Sequence, residues 1–381
     1  MDKKDAGKLL IIFIIWRLAA VAFAGLGQLL FPLQIICLGG GLLNYLRHPL
    51  FWGFINFDGE HYLSIAYDGY FPLTYFYFPL YPLIIKIISD LFGGSFGIHA
   101  FVGLFSSNLF LLTALIGLYK LVNLFHPAKI ALYSIISLLI FPTSFYLGAY
   151  YNESLFLVLV IWSFYFAFTK RWFLSFFLCG LATSTRLVGA ALVPALLYKY
   201  IIEDKNKILS IKTLLYSLLS ISGVVIYSVY LKIKTGDFLA FFHNVEIFGG
   251  QRSTDIVILP RVFYRYLFKI LPVLNYKYLP QIFMSYLEFA TAILFLIVAY
   301  FIFMKMKRSI FIYYISAYLI PTLAGSFSSF PRYALALFPA FILGGEYLSV
   351  KSRLFRYTVY TFLIITGFIA VSLFIRGYFV S

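Results

Sequence analysis

This sequence is poor in charge. Charged residues fill 12% of 381 positions, and only 14 of them are acidic. Soluble domains carry about 25% charged residues, so a soluble globule is excluded. Cysteine is scarcer still: Cys37 and Cys179 are too few for a disulfide framework or a thiolate metal site. No His-x-x-x-His, no Asp-x-Asp pair and no glycine-rich phosphate loop occurs. Their absence disfavours a nucleotide-sugar donor held through a metal, and we expect neither metal nor cofactor. A donor presented from within the membrane fits better. No repeat of fixed period and no low-complexity tract appears.

What the chain has instead is apolar length. Hydrophobic residues make up 62% of it, and long apolar runs recur from Leu9 to Ile375. Runs of helical length point to α-helices, since barrel strands alternate over segments of about ten residues. The expected fold is therefore an all-α polytopic membrane protein, a single integral membrane domain over 1–381. Spans are expected near 9–30, 97–121, 130–148, 153–169, 172–184, 187–202, 210–231, 286–304, 310–325, 333–349 and 355–376, about 11 in all. The short pair 172–184 and 187–202 has an alternative reading as one long span with Arg186 inside it. The first 25 residues mimic a signal peptide, but Arg17 interrupts the apolar run and favours a retained first span.

A net charge of +16 invites a nucleic-acid reading. The basic residues are scattered over short loops, so we expect no nucleic-acid partner and read most of them as topology signals. Clusters at Lys3/Lys4/Lys8, Lys120/Lys129, Lys170/Arg171, Lys199–Lys212, Lys305/Lys307/Arg308 and Lys351/Arg353/Arg356 place the N-terminus inside and the C-terminus outside the cell membrane. The aromatic share is 21%, and the joint abundance of Phe, Tyr, Ile, Lys and Asn reads as the mark of an A+T-rich genome, with some rings expected in interfacial belts.

Two long stretches, 31–96 and 232–285, then fall on the outer side, together with nine of the 14 acidic residues: Asp58, Glu60, Asp68, Asp90, Glu153, Asp237, Glu246, Asp255 and Glu288. Ionisable groups clustered beside a bilayer mark where a membrane protein does its chemistry. Asp58, His61, Tyr62, Ile65, Ala66 and Gly69 follow helical spacing and predict a short surface helix from Asp58 to Gly69. A second surface helix is expected over Leu83–Leu91. Asp58 reads as a catalytic carboxylate or as a helix N-cap. His61, one turn on, could bond a phosphate, orient Asp58 or simply pack. Glu60 is expected to face water. Asn152 and Glu153 read as a cap and a dipole partner, or as the lining of a polar cavity.

Arg186 lies between apolar runs, where a cation costs about 2.5–3.5 kcal/mol unless it is paired or near water. Arg332 stands at the outer mouth of another span. Guanidinium matches phosphate in a bidentate way, so arginines converging on one cavity suit a phosphate. The competing reading for each is an interfacial anchor. In the second outer stretch, Arg252, Arg261, Arg265 and His243 are further cationic or titratable groups.

Asp58-x-x-His61-Tyr62-x-x-Ile65-Ala66-x-x-Gly69-Tyr70, followed by Phe78-Pro79-Leu80-Tyr81-Pro82, resembles the first outer loop of the GPI mannosyltransferase II family. Further matches run in order through Tyr150-Tyr151-Asn152-Glu153, Ser184-Thr185-Arg186, Gly236-Asp237-Phe238, and Arg332-Tyr333 before Phe338-Pro339. Phe57 stands where that family usually has Trp, and Phe71 where an acidic residue usually follows Gly-Tyr. The resemblance implies a GT-C class membrane glycosyltransferase. Such an enzyme moves mannose from a polyprenyl-phosphate carrier, such as dolichol phosphate mannose, at the outer face without a metal, with Asp58 as base. The implied partners are the polyprenyl-phosphate-linked sugar donor, a glycan, glycolipid or protein acceptor, and membrane lipids. His61, Glu153, Arg186 and Arg332 are the candidate substrate-binding residues. A transporter or flippase, or a ligase of lipid-linked saccharides, are the alternatives. A transporter should carry midplane charges and an inverted repeat.

Overall fold

The computed structural model describes residues 1–243 and 256–380; Glu246, Arg252 and Asp255 lie outside the described residues. Every regular element among the described residues is helical. After α1 (Lys3–Leu30), the stretch 31–96 folds into α2 (Gly41–Arg47), α3 (Pro49–Trp52), α4 (Asp58–Asp68) and α5 (Leu80–Leu91). Then come α6 (Phe96–Val122), α7 (Ala128–Leu139), α8 (Glu153–Phe168), α9 (Trp172–Thr183), α10 (Leu192–Tyr198) and α11 (Ile211–Thr235). The described part of the stretch 232–285 holds α12 (Ala240–His243) and α13 (Leu259–Arg265). The chain closes with α14 (Leu279–Lys305), α15 (Arg308–Thr322), α16 (Phe330–Tyr333), α17 (Phe338–Val350) and α18 (Arg353–Ile375).

Each apolar stretch expected as a span is helical over most of its length. Among the described residues α1, α6, α11, α14 and α18 are long and apolar enough to cross a membrane, with a sixth if α16 and α17, bent by 79°, form one broken span. These helices support an integral membrane protein. The helices α7 and α9, at 12 residues each, fall short of the about 20 that a full span needs. The segment around Arg186 is not one long span. Arg186 itself is extended (φ −157°, ψ 148°), and it separates α9 from a 3-10 turn that leads into α10.

The described residues form two compact units. The first comprises Met1–Gly69, Tyr81–Val158 and Phe341–Val380. Here α1 and α18 pack so closely that a Cβ on Gly27 would stand 2.7 Å from Ser372. The Ser372 hydroxyl also donates to the Phe23 carbonyl at 3.2 Å. The second unit comprises Tyr70–Leu80 and Leu159–Ala340. In it α9 and α11 approach closely. A Cβ on Gly223 would meet the Gly180 carbonyl oxygen at 2.2 Å and the Ser184 nitrogen at 2.5 Å. Small residues let helix backbones approach in a membrane protein, where apolar burial drives association little. This approach fixes the end of α9 and with it the turn that carries Arg186.

Candidate active site

In the first unit the site is built around the start of α4. This helix begins at Asp58, and Phe57 occupies the N-cap position without a side-chain cap bond. The capping position thus falls one residue before Asp58. Phe57 adopts φ 57° and ψ −121°, a conformation that residues with a Cβ rarely hold. Such strain persists only where the surroundings over-determine it. They do here. Phe57 donates its N–H to the Cys37 carbonyl at 2.9 Å. Its ring meets those of Phe374 and Phe379, each at 5.7 Å.

Asn56, one residue earlier, is fully buried. Its Oδ1 accepts the Gly39 N–H at 2.9 Å, and its Nδ2 donates to the carbonyls of Phe374 (2.9 Å) and Ile375 (3.2 Å). Its own carbonyl accepts the Tyr151 hydroxyl at 2.8 Å. This one residue, through its side-chain amide and its backbone carbonyl, ties the turn before Asp58 to the end of α18, to the 37–40 segment, and to the strip leading to Glu153.

That strip lies directly against α4. A Cβ on Gly59 would meet the Tyr150 carbonyl oxygen at 3.2 Å and the Tyr151 ring at 3.4 Å. Tyr81 secures the same corner: its hydroxyl bonds the Ser107 hydroxyl at 2.8 Å, and its ring meets Tyr62 and Tyr150 edge-on. The first unit therefore brings the helix of Asp58 and His61 together with the segment of Glu153. Asp58 and His61 are half-buried and Glu153 is buried at the first residue of α8. Glu60 is half-buried rather than fully in water.

Burial pushes the Glu60 carboxyl above its usual value. Burial also lowers the His61 imidazole, against the opposing pull of Asp58, so His61 favours its neutral form. The Cys37 thiol is raised, first by burial and then by the carboxylates of Glu60 and Asp58.

In the second unit the two arginines named from sequence meet around one ring. The guanidinium of Arg186 lies 5.0 Å from the centre of Tyr333, and that of Arg332 lies 5.4 Å from it. Arg332 is buried and Arg186 half-buried. The Leu80 N–H donates to the Ser184 carbonyl at 3.0 Å, which joins the Phe78-Pro79-Leu80 motif to the Arg186 turn. Behind that motif, Phe78 packs on Tyr227 and Phe241, and the Tyr227 hydroxyl donates to the carbonyls of Tyr75 and Tyr77. Near the start of the stretch 232–285, His243 Nδ1 sits 2.6 Å from Asp237 on the exposed surface.

Sequence reasoning missed Asn56, the backbone strain at Phe57, and Tyr333 as the common neighbour of both arginines. A positive φ at a phenylalanine leaves no mark in composition or periodicity. Asn56 bonds residues 318 and 319 positions away, beyond any local pattern. The pairing of Tyr333 with Arg332 was visible in the sequence, but its contact with Arg186 was not.

Comparison with known proteins adds to this geometry. Residues 77–231 match the family described as dolichyl-phosphate-mannose-protein mannosyltransferase. Glu153 and Arg186 fall inside the matched stretch, whereas Asp58, His61 and Arg332 fall outside it. No curated protein matches the chain. Among solved structures, the crystal structure of the Archaeoglobus fulgidus oligosaccharyltransferase in its apo form aligns over 97% of this chain, with 11% identity and a TM-score of 0.49. The chain spans 56% of the length of that protein. Over 77–231, then, the chain is similar to a family of membrane mannosyltransferases, which supports a glycosyltransferase.

Proposed function

We propose that the protein transfers a sugar, mannose, from a polyprenyl-phosphate carrier to a lipid-linked glycan, glycolipid or protein acceptor at the outer membrane face. The observation that carries this reading is the strained turn at Phe57. A fold that holds a phenylalanine in that conformation, clamped by Asn56, fixes the next carboxylate in place rather than leaving it on a mobile cap. Strain of this kind clusters at functional sites. The mannosyltransferase match over 77–231 and the motif resemblance to the GPI mannosyltransferase II family support the same reading.

The chemistry follows from the donor. A sugar phosphate is already activated, so the enzyme must deprotonate an acceptor hydroxyl as it attacks the anomeric carbon. Asp58 takes that proton. The new bond joins the acceptor oxygen to the anomeric carbon. The bond from that carbon to the phosphate oxygen breaks, and polyprenyl phosphate leaves. Arg186 and Arg332 stabilise its developing charge. A single displacement inverts the anomeric centre. His61 stays neutral and orients the carboxylate, and Glu153 lines the polar corner beside α4.

The test is a transfer assay with purified protein in lipid nanodiscs. We expect mannose transfer from polyprenyl-phosphate mannose that persists in EDTA, and none from GDP-mannose. Direct use of GDP-mannose, or loss of transfer in EDTA with recovery on adding manganese, would overturn the donor assignment.

A further inference from the structure

Glu288 sits in the tenth position of α14, an otherwise apolar helix, and is 8% exposed. A carboxylate so placed is costly unless its oxygens are bonded. Both are. Oε2 accepts the Tyr266 hydroxyl at 2.8 Å, and Oε1 accepts the Ser329 N–H at 3.3 Å. Ser329 is the residue that opens α16. It stands in the left-handed region at φ 67°, ψ 7°, which residues with a Cβ avoid. Its carbonyl in turn accepts the N–H groups of Arg332 and Tyr333, each at 3.1 Å. A single carboxylate therefore grips the strained residue from which the Arg332 turn springs.

The rest of this loop is fixed by Val257 and Arg265. Arg265 Nη1 donates to the Gly325 carbonyl at 2.7 Å, and the Val257 N–H donates to the Leu323 carbonyl at 2.9 Å. The Phe327 ring is fully buried against Phe263, Tyr266 and Phe330. Apolar packing thus anchors the loop as a body. The Glu288 bond acts at the strained pivot itself, at the residue whose carbonyl receives the Arg332 N–H.

We propose, on the donor-phosphate reading of Arg332 given above, that Glu288 is a positioning residue for donor binding. With Tyr266 it holds Ser329 in its left-handed conformation and so aims Arg332 at the donor phosphate. In this role Glu288 acts through Ser329 and Arg332. Its removal should change how tightly the donor is held more than how fast the bound donor reacts.

The experiment measures kcat and donor KM for polyprenyl-phosphate mannose in wild type, E288A, E288Q, R332A and the double variant E288A/R332A. Losing one charge-assisted bond at the pivot should raise donor KM about tenfold in E288A, with kcat within about threefold. E288Q keeps an oxygen for the Ser329 N–H and should stay within about threefold of wild type. Because Glu288 acts through Arg332, the double variant should match R332A alone rather than show the product of the two effects. S329G takes a positive φ without strain, so E288A/S329G should recover most of the lost donor affinity. A raised donor KM in R332A together with normal donor KM in E288A would overturn the positioning role alone. An unchanged donor KM in R332A would overturn the donor-phosphate reading itself. If E288A folds too poorly to assay, Y266F supplies the same test. A fall in thermal stability with wild-type donor KM in that variant would reduce the pair to a structural role.

Discussion

Replacing Asn56 with alanine is the most informative structural perturbation, because its magnitude follows from the partners. Three side-chain hydrogen bonds disappear. The losses are unequal. The Phe374 carbonyl also accepts the Gly377 N–H, and the Ile375 carbonyl also accepts the Tyr45 hydroxyl, so each keeps one partner. The Gly39 N–H has Asn56 Oδ1 as its partner and would be left buried and unmet. An orphaned buried group costs about 1–3 kcal/mol and a lost bond with a surviving partner about 0.5–1.5, so we expect N56A to destabilise by about 2–4 kcal/mol once the carbonyls' residual bonding is allowed for.

Asn56→Asp gives a sharper signature. A carboxylate still accepts from Gly39 but faces the carbonyls of Phe374 and Ile375, to which only its protonated form can donate. Its pKa in the folded protein is then raised above the unfolded value of about 3.9. The stabilising contribution is complete below that value and is lost as pH rises through the folded pKa. Thermal unfolding of the purified variant in mild detergent, scanned from pH 4 to pH 8, should show N56D approaching wild type at the acid end and falling away toward neutrality. An N56A variant within 0.5 kcal/mol of wild type, or an N56D deficit that is flat with pH, would refute the clamp.

Three further outcomes follow from packing and charge. Gly223→Ala should destabilise by about 1–3 kcal/mol, because its Cβ meets backbone and not a movable side chain. It should also raise donor KM, since α9 ends at the Arg186 turn; a thermal scan and donor titration of the variant check both. His61 is held neutral by burial, so below the unfolded imidazole value of about 6.5 the unfolded chain binds the proton more readily and stability falls with pH. The melting temperature of wild type should therefore drop more between pH 7.5 and pH 5.5 than that of His61→Gln, and parallel curves would contradict the assignment.

Much of the architecture was legible because apolar length and helical spacing are local signals. The apolar runs appear as helices, and the surface helix expected to run from Asp58 to Gly69 is α4, closed by Gly69 at φ 90°. Its buried face, including Tyr62, Ile65 and Ala66, is the face that the spacing indicated. The second surface helix starts at Leu80 rather than Leu83, because Leu80 is already engaged with the Ser184 carbonyl. What the sequence withheld is long-range. The break at Arg186 depends on backbone approach to neighbouring glycines, and a run of apolar residues does not distinguish it from a continuous span. Glu288 reads as one more outer acidic residue until its two oxygens are seen to hold Tyr266 and Ser329. Arg186 and Arg332 are two separate anchors until Tyr333 joins them.

The central claim, that Asp58 is the general base, is tested most directly by single-turnover transfer with Asp58→Asn. Asparagine preserves the shape at the first position of α4 but accepts no proton. General-base loss typically slows a reaction about 10²–10⁴-fold. The account predicts a folded protein with wild-type melting temperature and donor affinity, and transfer at least about a hundredfold slower. Near-normal transfer by this variant would contradict it and return Asp58 to a structural role at the start of its helix.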